Sequence, residues 1–282
     1  RKKRNYKNKV QKNNEAIQYL ETFNLEQIDP KEIEKCNSVL VKDEKNCNCF
    51  DDTKGKNPTR NFKSCMKKMN SKKCKDYNTC KKNFSYFMSG DEPHYETEKW
   101  NDPIIEGSHN CYAYFLNDHI PEVKKDCNDV CKNSSNSNCV NNKCGDYKPQ
   151  PGDCAHENGR LDKRTRNYSC NRMEEAVLLD NTDPNTNKKN IIKLNRDSNK
   201  GFTHKCPPKY YKGALVVDPN HTYHFYRQDS NVRFSHKQGT LPIENIDASK
   251  KPIYAPHLSD LNYNKKNKKN GINYTKFCSY MC

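Results

Sequence analysis

Apolar residues recur at helical spacing in several short segments of the first third of the chain. Residues 14–23 and residues 62–69 each place apolar side chains on one helical face. Pro30 precedes Ile33 at a first-turn position, which predicts another short helix, because proline is tolerated where N–H groups lack helical partners. Further along, residues 171–174 read Asn-Arg-Met-Glu, a capping box that predicts a helix start.

The last third of the chain carries the strand patterns. Residues 213–218 form a continuous apolar run of strand length, and Pro219 with Asn220 turns the chain after it. Residues 223–228 and 232–236 then alternate in polarity with period two. Two such strands joined by a short loop predict an antiparallel hairpin. Helices combined with an antiparallel sheet indicate an α+β fold class.

The length of the hairpin loop decides which residues face each other. A three-residue loop pairs Gln228 with Val232 and places His224 directly opposite His236. Opposed residues share a face of the sheet, with Cβ atoms roughly 4.5–5.5 Å apart, so this register makes the two imidazoles neighbours. A two- or four-residue loop shifts the pairing by one and brings Lys237 opposite His224 instead.

Composition indicates that covalent cross-links supplement a thin core. Hydrophobic residues make up 32% of the 282 positions, and the chain contains 16 cysteines. Disulfides restrict the unfolded state where burial alone stabilises too little. So many thiols predict an oxidising compartment, either outside the cell or in a virion with its own oxidation system. Because 16 is even, every cysteine has a potential partner, and one free cysteine would leave another unpaired within the chain.

A turn-rich linker at residues 89–93 divides the chain into two predicted domains. Residues 1–100 are predicted to form a cysteine-rich helical module, and residues 101–282 the second domain. Within the second domain, residues 126–170 are irregular and rich in cysteine, which predicts a disulfide-pinned insertion. Three internal disulfides, in any of 15 connectivities, would close the first module through Cys36, Cys47, Cys49, Cys65, Cys74 and Cys80.

Charge and cysteine spacing bear on the partners and cofactors of the chain. The net charge of +16 comes mostly from scattered lysines, which would attract nucleic acid, anionic lipid or acidic glycans, although no nucleic-acid motif accompanies them. The C-x-C pair of Cys47 and Cys49 lacks the second half of a zinc site, so no metal or cofactor is predicted. No run of 18 apolar residues occurs, so no membrane span is predicted in this chain.

The strongest chemical pattern is residues 108–118, Ser-His-Asn-Cys-Tyr-Ala-Tyr-Phe-Leu-Asn-Asp. The aromatic residues and leucine after Cys111 recur at helical spacing, and Ser108 or Asn110 can cap the first turn. Cys111 would then lie where unpaired N–H groups and the positive end of the helix stabilise a thiolate. The pattern predicts either a nucleophilic cysteine or one more disulfide partner in an oxidised scaffold.

An Asn-Cys-Tyr-Ala-Tyr helix start followed downstream by a strand with an early histidine resembles the papain-like amidohydrolases of the NlpC and CHAP type. The resemblance covers residues 105–240. It implies a papain-like core in which a cysteine-headed helix packs on a small antiparallel sheet that supplies the histidine. The C-terminal part, residues 239–282, also resembles uncharacterised proteins of bacteria and giant DNA viruses.

The resemblance implies a role for each candidate site residue. Cys111 would be the nucleophile, His224 the general base and His236 the orienting residue, with Asp229 and Asp247 as weaker candidates for the third role. The thiolate of such a site attacks a carbonyl, and N–H groups at the helix start hold the oxyanion. The predicted function is a thiol hydrolase of peptide or amide bonds, or an inactive derivative, in a virion or another oxidising compartment.

A structural role is the alternative. A basic, disulfide-dense protein with a thin core and long polar loops is typical of a minor capsid or cement protein of a large DNA virus, with other virion proteins as partners. Such a protein would keep the hydrolase fold as a scaffold, since a fold does not determine a function. The two hypotheses differ in whether Cys111 is free and reactive.

Overall fold

The computed structural model describes most of the chain: residues 29–49, 62–120, 125–126, 143–144, 148–153, 155, 168–183, 185–219, 221–266 and 271–282. The predicted helix at 14–23 and most of the predicted insertion at 126–170 lie outside these residues. None of the helices in the described ranges combines the length and apolar character needed to cross a membrane.

Most helices precede residue 204, and the strands of the main sheet follow after residue 212. The helices are α1 (Pro30–Cys47), α2 (Phe62–Lys68), α3 (Lys72–Ser85), α4 (Thr97–Trp100), α5 (Pro103–Ser108), α6 (Cys111–Phe115), α7 (Cys170–Asp180) and α8 (Ser198–Thr203). The strands are β1 (Lys125–Asp126), β2 (Lys143–Cys144), β3 (Gly213–Asp218), β4 (Thr222–Gln228), β5 (Phe234–Lys237), β6 (Ile243–Glu244) and β7 (Lys276–Met281). The described helices and antiparallel strands confirm the predicted fold class.

The N-terminal helices are capped locally and joined covalently. The Asp29 carboxylate accepts the N–H of Lys31 at 3.0 Å, and Pro30 occupies the first turn of α1 as predicted. α1 packs on α3 with few apolar side chains between them, so disulfides supplement the contact. The six cysteines of this unit pair among themselves as Cys36–Cys80, Cys47–Cys74 and Cys49–Cys65. The predicted three internal disulfides are therefore present, in one connectivity of the 15.

The main sheet has five antiparallel strands in the order β6-β5-β4-β3-β7. β3 is apolar and buried from Gly213 through Val217 because both faces of the sheet are covered, and it ends at the half-buried Asp218. The structure confirms the predicted strands at 213–218 and 223–228. The third predicted strand begins only at Phe234, because Val232 has a φ of 80° and belongs to the loop.

Alternation along β3 and β4 distributes side chains between two cores. On the first face, Phe225 stacks on Phe115 of α6 with ring centroids 4.9 Å apart. We call this the α6 face, and it also carries Leu215, Val217 and Tyr223. The opposite face we call the histidine face, and it carries Ala214, Val216, His224 and Tyr226. Each side chain of β4 therefore packs against the elements that cover its own face of the sheet.

The N-terminal helices cover the histidine face. Phe84 of α3 packs edge-on against Phe202 of α8 at 4.8 Å, and both belong to the core cluster that contains Tyr226. Polar contacts support this packing, because the Tyr77 and Tyr254 hydroxyls lie 2.9 Å apart and Tyr254 donates to Glu44 at 3.0 Å. The two predicted domains thus share one core, and their independence as folding units stays a prediction.

Two further disulfides connect distant segments to the C-terminal strand. Cys170 of α7 bonds to Cys278 of β7, and Cys206 bonds to Cys282, with sequence separations of 108 and 76 residues. The backbones of Ile192 and Cys282 also exchange hydrogen bonds of 2.8 Å in both directions. β7 is therefore held by covalent bonds as well as by its pairing with β3.

Gly213 provides a test of how α6 packs on the sheet. A Cβ at this position would lie 2.1 Å from Phe115 Cε2, so we expect Gly213→Ala to lower the free energy of unfolding by about 1–3 kcal/mol through overpacking. Chemical denaturation measures the change. Combining Gly213→Ala with Phe115→Leu should recover part of the loss. A Gly213→Ala protein as stable as its parent would contradict this packing.

Candidate functional site: Cys111, His224 and His236

Cys111 begins α6 in the manner that the sequence predicts. The Asn110 side chain caps the helix by accepting the N–H groups of Tyr112 and Ala113 at 3.1 and 3.0 Å. Asn110 Nδ2 also donates to Pro149 O at 2.7 Å, which fixes the cap against a distant segment. Among the cysteines whose side chains the structure describes, Cys111 is the free one. Its position is compatible with a nucleophile and with a structural cysteine. The two roles differ in the environment that each requires of the thiol.

The environment of Cys111 disfavours a thiolate. The residue is buried, and burial raises the pKa of its thiol to about 12, although hydrogen bonding from the Phe225 backbone acts in the opposite direction. α6 has five residues, so its dipole offers little to offset desolvation. The helix start faces the protein interior rather than an open cleft, which disfavours a low-pKa cysteine, and the nucleophilic role of Cys111 stays a prediction.

His224 and His236 are neighbours, but not in the predicted register. β4 and β5 pair Gln228 with Phe234 and Tyr226 with His236, so the loop between them has five residues rather than three. The difference shifts the pairing by two positions, which leaves both histidines on the same face. Their rings lie diagonally, with centroids 5.0 Å apart and His224 Nε2 at 2.9 Å from His236 Nδ1.

The hydrogen bonds assign one tautomer to each ring. His236 Nε2 lies 3.0 Å from the carbonyl of Ile246, so it carries a proton and donates. The neutral ring then has an acceptor at Nδ1, to which His224 Nε2–H donates. Burial lowers the pKa of His236 to about 4, and burial followed by the charge of His236 holds the pKa of His224 well below its usual range. Both imidazoles are therefore neutral near pH 7.

The structure does not bring Cys111 and His224 together. Phe225, next in the strand, packs on Tyr112 and Phe115 of α6, whereas the His224 ring points to the opposite face and stacks on Tyr274 at 5.3 Å. The backbone of β4 thus separates the predicted nucleophile from the predicted general base. This geometry disfavours the predicted Cys–His pair, whose catalytic role stays a prediction, and His224 and His236 form a buried pair of their own.

Neither candidate for the third role orients His224. The Asp229 carboxylate accepts from Arg227 Nε at 3.2 Å and Nη2 at 3.0 Å, and burial raises its pKa to about 6 against the effect of that guanidinium. Asp247 accepts the backbone N–H groups of Ser249 and Lys251, each at 2.9 Å, and so closes a turn. Both carboxylates have structural partners in place of a catalytic one.

The sequence analysis missed two buried cations on the α6 face. Arg227 is fully buried, its guanidinium lies 4.0 Å from the Tyr114 ring centroid, and its Nη1 donates to Asn117 at 2.9 Å. Lys237 donates to three backbone carbonyls, those of Glu106, Gly239 and Leu241, at 2.6–3.0 Å. The available signal was the place of both residues in or next to the two segments predicted as strands, 223–228 and 232–236.

Comparison with known proteins yields one short match. A stretch of 47 residues is 49% identical to part of "Insoluble matrix shell protein 1" of Ruditapes philippinarum, covering 17% of this chain and 32% of that protein. The chain therefore aligns with about a third of the length of this relative. No family model matches the chain, and no solved structure matches it. The papain-like resemblance thus gains no support from relatives, and the α+β class is what the structure shows.

We expect Cys111 to resist alkylation in the native protein. With a pKa near 12, roughly one thiol in ten thousand is ionised at pH 8, and the sulfur is also shielded from solvent. Peptide mapping by mass spectrometry after treatment with iodoacetamide measures the labelling of this residue. The same experiment in guanidinium chloride without reductant is the control, and should label Cys111 readily. Equal rates in both conditions would contradict the buried environment.

His236 should make the protein sensitive to acid. An unstructured histidine has a pKa of 6.5, whereas the pKa of the folded His236 is about 4, so the unfolded chain takes up the proton first as the pH falls. Stability that is present above pH 6.5 is then lost between pH 6.5 and 4, by about 3 kcal/mol for this group. His236→Gln should flatten the curve of unfolding free energy against pH over this range.

The control for this experiment is His221→Gln, because the His221 side chain is 75% exposed. Asp229 acts in the opposite direction: its contribution is present below pH 3.8 and lost as the pH rises through about 6. The difference between variant and parent therefore removes the contribution of Asp229 and reports His236 together with the part of the His224 shift that the charge of His236 causes. An unchanged slope in His236→Gln would show that the ring titrates as if it were exposed.

Proposed function

We propose that the chain is a disulfide-stapled structural protein of an extracellular matrix. In this role it contributes surfaces and rigidity, and performs no covalent chemistry. The proposal takes up the structural alternative of the sequence analysis, but places the protein outside the cell rather than in a virion, since virion association has no support among the relatives.

The observation that carries the proposal is the use of the cysteines. Ten of the described cysteines form five disulfides, and these bridge neighbouring helices, α7 to β7, and residue 206 to the C-terminal residue. The free Cys111 is buried and lies across the sheet from His224. Cross-links stabilise the fold, while burial and the backbone of β4 separate the thiol from the predicted base, which favours a scaffold over a hydrolase.

The partial relative supports the same setting. Its printed name places that protein in an insoluble shell matrix, and the identity of 49% is high over the 47 residues that align. Structural disulfides persist in extracellular compartments, where the redox potential keeps them oxidised. A secreted matrix component therefore accounts for the cross-links and for the local similarity together.

Fractionation of the source tissue tests the proposal. An antibody against the chain should detect it in the extracellular matrix fraction that remains after salt and detergent extraction, and non-reducing peptide mapping should recover Cys170–Cys278 and Cys206–Cys282 intact. Recovery from the cytosol with these cysteines reduced would contradict an extracellular role.

A parallel assay tests the absence of hydrolase chemistry. Purified parent protein and Cys111→Ala should give the same background rate on a panel of peptide and amide substrates, because the buried thiol contributes nothing. Hydrolysis by the parent that is lost in Cys111→Ala would overturn the structural proposal in favour of the enzyme.

A further inference from the structure

A groove of about 600 Å³ lies on the surface beyond the C-terminal end of α6. The lining comprises residues 115–118 at the C-terminal end of α6, residues 181, 188, 190 and 191 after α7, residues 208–211 before β3, and Cys282. We call it the Tyr210 groove. Its volume falls within the range of small-ligand sites, and its lining mixes aromatic rings with amide and charged side chains.

The groove is held rigid by the C-terminal disulfide. Cys282 lies in its lining and is bonded to Cys206, which anchors the segment that carries Tyr210 and Tyr211. The Tyr211 hydroxyl donates to the carbonyl of Phe115 at 2.6 Å and so joins two walls. A site whose walls are fixed before a ligand arrives loses little conformational entropy on binding.

The amide side chains of the groove have assigned orientations. Arg227 can only donate, so the Asn117 oxygen must face it at 2.9 Å, and the Asn117 amide nitrogen is a donor outside that bond. Asn181 uses its amide nitrogen to donate to the Tyr112 hydroxyl and to Val177 O, each at 2.8 Å, so its oxygen is an acceptor outside those bonds. Two residues of the lining thus carry one amide donor and one amide acceptor, the two functions that a hydroxyl can satisfy.

Tyr210 supplies a flat, partly exposed ring beside these amides. Its hydroxyl donates to the carbonyl of Lys189 at 2.8 Å, which fixes one end of the ring. An aromatic ring packs against the apolar C–H face of a sugar, while amides bind the hydroxyls at its edge. A ring next to a donor and an acceptor is therefore suited to a carbohydrate rather than to an apolar ligand.

The charged residues of the lining favour an anionic sugar. Lys188 and Lys209 are exposed ammonium groups, and Asp118 is the one carboxylate of the described lining. Lys209 has a φ of 72°, a conformation that is costly for a residue other than glycine, and its N–H donates to Asp91 at 2.7 Å. Strained backbone of this kind clusters at ligand sites, where the surrounding structure maintains it.

We propose that the Tyr210 groove binds a segment of an acidic polysaccharide, with the Tyr210 ring against a sugar face, Asn117 and Asn181 on hydroxyls, and Lys188 and Lys209 on the anionic groups. The proposal deepens the matrix role by naming a partner, and rests on that role for the setting in which the partner is met. The two proposals have separate tests: the purified protein could lack polysaccharide binding although it is found in the matrix, and it could bind polysaccharide although it is found elsewhere.

Calorimetric titration of the intact, oxidised protein tests the proposal. The probes are a galacturonate hexamer, a heparin hexasaccharide, neutral maltohexaose and linear polyphosphate, so that carboxylate, sulfate, an uncharged sugar and charge without sugar are compared. We expect both acidic hexasaccharides to bind more tightly than maltohexaose and polyphosphate, and the tighter of the two to identify the anionic group.

Variants locate the binding in the groove. Tyr210→Ala should weaken binding of the acidic hexasaccharides by about tenfold, as truncation of a central tyrosine does at other interfaces. Tyr210→Phe, which keeps the ring, should stay close to the parent. Tyr86→Ala is the matched control, because Tyr86 is 57% exposed and follows α3, outside the groove lining, and should leave binding unchanged. Replacing Lys188 and Lys209 together by Gln should reduce both affinity and its dependence on salt.

Two outcomes would overturn the proposal. The first is polyphosphate binding as tightly as the hexasaccharides, which would mean that charge alone is recognised. The second is binding that survives Tyr210→Ala but is lost when Lys67, Lys72 and Lys75 are changed to Gln. Residues 62–88 contain eight lysines and one acidic residue, so this result would assign the polyanion to the basic helices α2 and α3.

Discussion

The burial of both faces of one small sheet is the constraint on which the rest of this structure depends. Helices α6 and α7 cover one face of β3 and β4, and the N-terminal helices with the C-terminal segments cover the other. A strand buried on both sides sends neighbouring residues into different cores. His224 and Phe225 are adjacent in the chain, yet one belongs to a cluster of imidazole and tyrosine rings and the other to the packing of Cys111.

The thin apolar content of the chain explains why covalent bonds supplement the packing of these covers. The α1–α3 unit buries few large side chains of its own and is closed by three disulfides. The other two described disulfides tie α7 and the segment before β3 to the C-terminal strand. Polar groups fill the remaining space, as in the contact of Arg227 with Asp229 and the Tyr114 ring. Such pairs are costly to break, so they preserve one arrangement of the core.

The burial of Cys111 and the disulfides both favour a structural role over a catalytic one. A nucleophilic cysteine needs an exposed, electropositive setting and a base within hydrogen-bond reach, and Cys111 has burial instead of exposure and a strand between itself and His224. A matrix protein needs a rigid body with persistent surfaces, which cross-links and buried polar networks provide. The sugar binding proposed for the Tyr210 groove would fit the proposed matrix role, because the Cys206–Cys282 disulfide holds one wall of the groove.

Patterns within single elements were enough to predict much of the fold. The apolar run of β3, the Pro30 start of α1, the Asn110 cap of α6 and the pairing of six nearby cysteines all follow from local spacing. Even the proximity of His224 to His236 was predicted correctly despite a wrong loop length, since a shift of two positions leaves a side chain on its own face. The motif around Cys111 does not by itself separate the two hypotheses, because the residues that begin a catalytic helix can also begin a buried one.

What covers each face of the sheet was decided only in the tertiary structure. Local periodicity records which residues of one element share a side, but not which distant segment packs there, and long-range contacts therefore determined the separation of Cys111 from the histidines. The same holds for Cys170–Cys278 and Cys206–Cys282, which join positions 108 and 76 residues apart. The sequence alone thus established the α+β class and the need for cross-links, while the packing of remote elements established which side chains meet.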